Sequence, residues 1–459
     1  MIKKSAICFA LSAVLTAAFI QILSTQNISA AENVPVKNII RIQGTDRFKT
    51  SKAIAEEISS NTMLENVVIA SGYDFPDGLS GSTLAKKLNA PLLMAGNMAD
   101  SSDAMNYISQ HLKQNGNVYI LGGTGVVSQD TENYLSEKGY MVIRICGKNR
   151  FETNNSIINS LKVQEGTPVF ISNAYGFADA LSASGIAAIN EYPIFLTKNN
   201  ELPDFIKKQL SSIKPSKIYI VGGIGVISTD EENQIKSLMP SSEVIRLSGS
   251  DRYETSMNLY KYFNLNTKNI ILASGKSFPD ALSGSQLSSK FNASMVLCDE
   301  NNLDSQQNEF NVKNIENYYL LGGTGALSAN VELSINFDKE IEMDNIKNVY
   351  SKIAQCIRLR DTDEYLTLID TSSPAYDISK EIYESLFEYC SKNDLDIITT
   401  FDSFDFVSIN YEKAVVKVKE TDAITDNNSK TTQYETSYTV STLKKINGSW
   451  KFYSTEMSQ

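Results

Sequence analysis

Arg41-Ile42-Gln43-Gly44-Thr45-Asp46-Arg47-Phe48-Lys49-Thr50-Ser51 is written three times in this chain. It returns as Arg144-Ile145-Cys146-Gly147-Lys148-Asn149-Arg150-Phe151-Glu152-Thr153-Asn154, and again as Arg246-Leu247-Ser248-Gly249-Ser250-Asp251-Arg252-Tyr253-Glu254-Thr255-Ser256. The second arginine recurs at 47, 150 and 252, spacings of 103 and 102 residues. So long a period marks tandem whole domains, not the units of about 20–50 residues that build solenoids.

Working outward, each copy follows one pattern. A helical segment over 51–59 carries an apolar stripe of Ala53, Ile54, Ala55 and Ile58. A short β-branched run comes next, at 67–70, 169–172 and 270–273, and reads as a buried strand. A second signature, Phe75-Pro76-Asp77-Gly78-Leu79-Ser80-Gly81, is echoed from Phe177 and from Phe278. It leads into a helix whose small residues allow close approach to a sheet. A third strand lies at 91–94, 193–196 and 294–297, and a fourth ends in a glycine turn. The turn glycines are Gly122, Gly123 and Gly125, then Gly222, Gly223 and Gly225, then Gly322, Gly323 and Gly325. A strand such as 142–145 is read as opening the next unit. Helices alternating with unbroken apolar strands imply a mostly parallel sheet covered on both faces. Each unit is expected to be a small three-layer α/β domain.

Three signatures in three copies, G-x-D/N-R-F/Y-x-T, F-P/A-D-A/G-L-S and L/V-G-G-x-G-x-x-S, resemble the clostridial cell-wall-binding repeat type 2. The resemblance spans roughly 38–335 and implies three Rossmann-like modules around a pseudo-threefold axis. It also implies a non-covalent anchor that binds an anionic, teichoic-acid-like secondary polymer of the Gram-positive cell wall. The expected division is a signal peptide at 1–31, modules at 32–138, 139–240 and 241–340, and a further domain at 341–459.

The residues themselves suggest roles. Asp46, Asn149 and Asp251 stand where a helix begins and suit N-capping. Arg47, Arg150 and Arg252 follow at once, and a guanidinium beside a helix N-terminus can grip a phosphate in bidentate fashion. They are the candidate polymer contacts. The competing reading pairs each arginine with a carboxylate of its own module, such as Asp77, Asp179 or Asp280, residues otherwise read as helix caps. The leading arginines Arg41, Arg144 and Arg246 are placed at module junctions. The glycine turns lack a P-loop lysine and the G-x-G-x-x-G spacing, so they read as tight strand-to-helix turns. The middle copy departs most, at Asn149, Asn154, Ala178 and Ile224.

Composition narrows the function classes. The formal charge of −11, from 42 basic and 53 acidic residues, argues against nucleic acid and anionic membrane as partners. Lys3 and Lys4, an apolar stretch over 6–23 and Ser29-Ala30-Ala31 have the form of a cleaved secretory signal. A secreted location follows, with no membrane contact after cleavage, and the resemblance implies that the secreted chain associates with the cell wall. The one histidine, His111, reads as lying on a solvated helical face. Outside His111 no H-E-x-x-H, Cys/His pair or Ser-His-Asp set can be assembled, so no catalytic residue, metal or cofactor is expected. Cys146, Cys298, Cys356 and Cys390 show no C-x-x-C spacing and read as buried free thiols.

From about residue 340 the pattern changes. An amphipathic helix over 343–360 and helices at 363–369 and 379–390 precede strands at 397–406, 414–420, 434–444 and 450–453. Residues 426–429 and Asn447-Gly448 read as hairpin turns. This order resembles a nuclear-transport-factor-2-like (NTF2-like) α+β cone. Phe401, Phe404, Phe406, Tyr411, Tyr434 and Tyr438 are expected to build its core. The tail is read as a binding domain with an unnamed partner. Carboxylate chemistry in its pocket, or self-assembly of the repeats into a surface layer, is the alternative.

Overall fold

The computed structural model describes residues 37–457 except 60, 61, 302 and 375; the expected signal segment lies outside them. The described chain divides into two compact units, which part between Ile335 and Asn336.

The first unit contains three parallel four-stranded sheets. In chain order its strands are β1 (Asn38–Ile42), β2 (Leu64–Ser71), β3 (Leu92–Ala95), β4 (Leu112–Leu121), β5 (Met141–Ile145) and β6 (Val169–Asn173). They continue as β7 (Ile194–Thr197), β8 (Lys217–Val221), β9 (Glu243–Leu247), β10 (Asn269–Ser274), β11 (Ser294–Cys298) and β12 (Asn317–Leu321). The sheets run β3-β2-β4-β5, β7-β6-β8-β9 and β1-β12-β10-β11. Sequence repeat and sheet are therefore out of phase by one strand. β5, read from sequence as opening the second unit, is the edge strand of the first sheet, in register from Asn117↔Met141 to Leu121↔Ile145. β9 edges the second sheet in the same way. β1 crosses to the third sheet, Asn38 opposite Asn317 and Ile42 opposite Leu321, and closes the set into a ring. The hydrophobic pattern explains why these strands sit at edges. β2, β6 and β10 are buried along almost their whole length, whereas β1, β5 and β9 have only exposed and half-buried residues before one buried apolar residue at the end.

The leading arginine of each repeat fixes that edge. Arg144 donates from Nη1 to Gly122 O at 2.9 Å and from Nε to Glu132 at 2.6 Å. Arg246 does so with Gly222 O, at 2.7 Å, and Glu232, at 2.8 Å. Arg41 reaches across the ring closure to Gly322 O and Glu332, each at 2.9 Å. These guanidiniums are almost enclosed, with side chains 11–15% exposed.

Each sheet has two apolar faces. The outer faces carry separate clusters, one per sheet, while the inner faces share a single core drawn from all three repeats. Around its centre pack the helices Gly81–Lys87, Ala178–Asn190 and Pro279–Phe291, each against the other two. Small residues set their separation: a Cβ on Gly185 would stand 2.4 Å from Ser288 Oγ. The phenylalanines of the second signature meet in a triangle, with ring centroids 5.7 Å (Phe75–Phe177), 5.9 Å (Phe75–Phe278) and 6.1 Å (Phe177–Phe278) apart. The arrangement is the expected pseudo-threefold one.

The second unit is α+β. Helices Lys339–Leu359, Thr362–Thr367 and Tyr376–Asn393 precede an antiparallel sheet of β13 (Leu395–Ile409), β14 (Lys413–Asp426), β15 (Thr431–Ile446) and β16 (Ser449–Met457), in that order. Asn447 and Gly448 both have positive φ, 49° and 80°, as a two-residue type I′ turn requires. Phe401, Phe404 and Phe406 pack against the core, but Tyr434 and Tyr438 do not: they are 73% and 46% exposed. They alternate out of phase with buried Thr439 and Ser441, so the strand period turns them outward. Cys298, Cys356 and Cys390 are buried free thiols, while Cys146 is exposed because it follows the last residue of the edge strand β5. His111 ends the helix Ser102–His111 and stacks on Tyr107 at 4.4 Å. Among the described residues no helix is long and apolar enough to cross a membrane.

Removing the nearly enclosed Arg246 guanidinium strands the Gly222 carbonyl and leaves the largely buried Glu232 with Lys236 as its remaining basic partner. Arg246→Ala is expected to lower unfolding stability by about 2–4 kcal/mol, read by chemical denaturation. A loss under about 0.5 kcal/mol, the level of an ordinary surface substitution, would contradict that assignment.

Candidate functional site

Each sheet has the order of a doubly wound fold, in which ligands bind beyond the carboxyl ends of the strands, where the winding reverses. In the first sheet that point lies between β2 and β4. Beyond it stand the second signature, following β2, and the glycine turn, following β4.

The second aspartate of each repeat occupies this crevice. Asp77, Asp179 and Asp280 are not the helix caps the sequence suggested. The cap positions are Phe75, Phe177 and Phe278, with no side-chain cap bond, and each aspartate sits in the first turn. Its carboxylate fills the space beneath the glycine turn. A Cβ on Gly122, Gly222 or Gly322 would stand 2.4, 2.6 or 2.3 Å from Oδ2 of Asp77, Asp179 or Asp280. The same glycines have φ of +100°, +116° and +93°. Glycine is thus required twice over, for backbone and for room. Gly123, Gly125, Gly223, Gly225 and Gly325 would meet nothing within 4 Å, and Gly323 approaches only the Gln43 side chain.

The motif arginines reach this crevice from the neighbouring repeat. Arg150 acts electrostatically on Asp77, Arg252 on Asp179, and Arg47, across the ring closure, on Asp280. Neither sequence reading foresaw this, since the carboxylate each arginine faces belongs to the preceding module. Each arginine donates one hydrogen bond, from Nη1 to the carbonyl just past its own module's first strand: Arg47 to Gly72 O (2.7 Å), Arg150 to Ala174 O (2.8 Å), Arg252 to Gly275 O (2.5 Å). Aromatic rings flank the guanidiniums. Arg150 lies 5.1 Å from the Tyr175 ring and 6.0 Å from Phe75, Arg252 5.5 Å from Phe177, and Arg47 5.6 Å from Tyr73. Among the described residues these three arginines make no other hydrogen bond and no salt bridge, unlike Arg41, Arg144 and Arg246. Arg47 and Arg150 are half-buried and Arg252 is exposed. Their Nε and Nη2 groups are left for solvent or a ligand.

The surrounding loop is held by the rest of the motif. Asn149 Oδ1 accepts from Phe151 N and Glu152 N, Asp251 Oδ1 from Tyr253 N and Glu254 N, and Asp46 Oδ1 from Lys49 N. The motif threonine closes the turn before it: Thr50, Thr153 and Thr255 accept from Gly44 N, Gly147 N and Gly249 N at 3.0–3.1 Å. The middle copy keeps this geometry. Asn154 Oδ1 accepts from Leu196 N at 3.1 Å, as Ser51 Oγ accepts from Met94 N at 3.0 Å. Tyr73 and Tyr175, 58% and 62% exposed beside their arginines, escaped sequence reasoning. The available signal was an aromatic residue directly after the strand-ending small residue; the third copy has Lys276 there, paired with Glu300 at 2.9 Å.

Burial raises all three aspartates. Asp179 and Asp280 stand at about 6, Arg252 and Arg47 only partly offsetting the burial. Asp77 is also raised, against the Thr153 hydroxyl and Arg150. A carboxyl whose folded value exceeds its unfolded value favours the folded state most below the unfolded value of 3.8, and that contribution fades as pH rises through about 6. Unfolding stability is therefore expected to fall between pH 5 and pH 7.5. Asp179→Asn with Asp280→Asn should flatten the slope by about 1–2 kcal/mol per site. Thermal melts across that window, with an unchanged slope in the double variant, would contradict it.

Comparison with known proteins follows the geometry. The family model described as cell wall binding domain 2 (CWB2) matches residues 41–132, 144–232 and 246–332. The model described as anti-sigma-I factor RsgI9, C-terminal domain, matches 348–459. The chain is 31% identical over 322 residues to N-acetylmuramoyl-L-alanine amidase LytC of Bacillus subtilis, covering 69% of this chain and 61% of that protein. It is 30% identical over 308 residues to the amidase enhancer of the same organism, covering 66% of this chain and 41% of that one. The structure of Cwp8 from Clostridium difficile superimposes with TM-score 0.59 at 27% identity, over 64% of this chain and 50% of that one. The chain thus spans between two-fifths and three-fifths of these relatives' lengths. With three matched copies and the shared fold, the chain belongs to the cell wall binding domain 2 (CWB2) family.

Proposed function

We propose that the ring of three modules anchors the chain non-covalently to an anionic polymer of the cell wall, and that Arg47, Arg150 and Arg252 make the polymer contacts. One observation carries the reading: each of these guanidiniums spends a single N–H on a backbone carbonyl and makes no salt bridge among the described residues. Guanidinium pairs with phosphate or carboxylate through two parallel N–H bonds, and the uncommitted Nε and Nη2 edge supplies that fork. The exposed rings of Tyr73 and Tyr175 add a surface against which a sugar can stack. Three like sites on one rigid ring gain avidity on a repetitive polymer, so each can be weak. The reading makes the repeats a binding device, not a catalyst, that displays the C-terminal unit at the surface.

The protein, with the segment up to residue 31 removed, is expected to sediment with isolated walls. That binding should be lost when hydrofluoric acid strips phosphodiester-linked polymer from them. Each single Arg→Gln change at 47, 150 or 252 should weaken sedimentation several-fold and the triple change by more than tenfold, as avidity is lost. Far-ultraviolet spectra should stay unchanged. Equal binding to stripped walls, or full binding by the triple variant, would sink the proposal.

A further inference from the structure

The inner face of β14 in the C-terminal unit changes character halfway along. Ala414, Val416 and Val418 are buried and apolar, and the same alternation then places Glu420 and Asp422 inward, 2% and 4% exposed. Neither pairs with a basic side chain among the described residues; the nearby Lys419 turns the other way, to Asp402 at 2.8 Å. Glu420 Oε1 and Asp422 Oδ1 are buried without a hydrogen-bond partner in good geometry, while the Thr399 hydroxyl faces Asp422 and the Ser441 hydroxyl faces Tyr350. Buried polar atoms are almost always satisfied, so two neighbouring orphaned carboxyl oxygens call for a ligand or a cost accepted for one.

The surroundings define what would fit. Thr399 lies opposite Asp422 and Phe401 opposite Glu420 on β13. Tyr350 packs edge-on against Phe401 at 4.4 Å, and Tyr365 and Tyr383, from the other two helices, pack at a tilt with ring centroids 3.9 Å apart. All three tyrosines lie close enough to Glu420 to be raised by it once it is ionised. On β15, Ser437 stands opposite Glu420, and the exposed Glu435 opposite Asp422. β16 reaches only as far as Thr439, so the part of β15 before Thr439 is an edge with no strand beside it among the described residues. A line of carboxylates, Glu435, Asp422, Glu420, thus leads from the exposed rim to the tyrosines.

We propose that this carboxylate line holds an aliphatic primary ammonium group, its N–H donors on Glu420 and Asp422 and its carbon chain against the tyrosines. A primary ammonium supplies three donors to acceptors that have none, and aromatic walls favour a cation at close range. A hard divalent metal fits less well, since it takes six or more oxygen ligands. Among the described residues no cluster of three or more His, Cys, Asp or Glu can hold one. Burial, with the neighbouring Asp422, lifts Glu420 to about 10, and burial lifts Asp422 to about 7 against the Thr399 hydroxyl. The cation must therefore ionise Asp422 to bind, while the amine stays protonated throughout, so affinity should rise with pH.

The test uses the full chain without residues 1–31 and n-butylamine, with n-butanol as the neutral control, followed by ligand-observed NMR. Saturable butylamine binding is expected to tighten about tenfold from pH 6 to pH 8, with butanol binding at least tenfold weaker. Asp422→Asn alone should remove the pH dependence, and Glu420→Gln with Asp422→Asn should abolish binding while leaving wall sedimentation intact. Should the double variant misfold, the single variant and the wild-type pH profile decide. Absence of saturable binding, equal binding of butanol, or an unchanged pH profile in Asp422→Asn would overturn the proposal. Because wall sedimentation is read separately, this failure is distinct from failure of the anchor.

Discussion

A parallel sheet that borrows its last strand from the next repeat cannot be complete within one repeat, and the rest of the first unit follows from that constraint. β5 finishes the first sheet, β9 the second, and β1 returns to finish the third. Each junction is then locked by a nearly enclosed arginine on a glycine carbonyl and a glutamate. The interlock makes three weakly bounded domains one body with one shared inner core. Small domains bury too little surface to be robust alone, and pooling inner faces relieves that limit.

The same phase shift builds the candidate site. Because the helix after each borrowed strand begins at the motif arginine, Arg150 and Arg252 are delivered to the crevice of the preceding module, and Arg47 to that of the third. The crevice supplies a buried carboxyl under a glycine turn, and the neighbour supplies a guanidinium with an open edge. Two arginines per repeat, close in sequence, thus do different work. The first is consumed by the fold, and the second keeps donors to spare. A ring of such junctions presents the same chemistry three times, as a repetitive polymer requires.

Much of this was legible in the sequence. Apolar strand runs alternating with helical stripes gave parallel sheets, and the triplicated motifs gave three modules. The closing Asn447-Gly448 turn and the order of elements gave the α+β tail. What failed to show was anything set by partner choice between repeats. Periodicity says that 142–145 is a strand but not whose sheet it joins, and both neighbouring assignments satisfy it. For the same reason Asp77, Asp179 and Asp280 read as caps, when a glycine turn distant in sequence creates the space they fill. The exposure of Tyr434 and Tyr438, and the inward Glu420 and Asp422, depend on strand phase, which a one-residue slip reverses.

Ring closure by β1 is the central claim, and hydrogen exchange tests it directly. A chain beginning at residue 44 lacks β1 and Arg41, so Gly322 N loses its acceptor, Ile42 O, now 2.9 Å away. The account predicts faster exchange at Gly322 and along β12 and β10, with β13–β16 unchanged. Identical protection of the third sheet in the shortened and longer chains would contradict it.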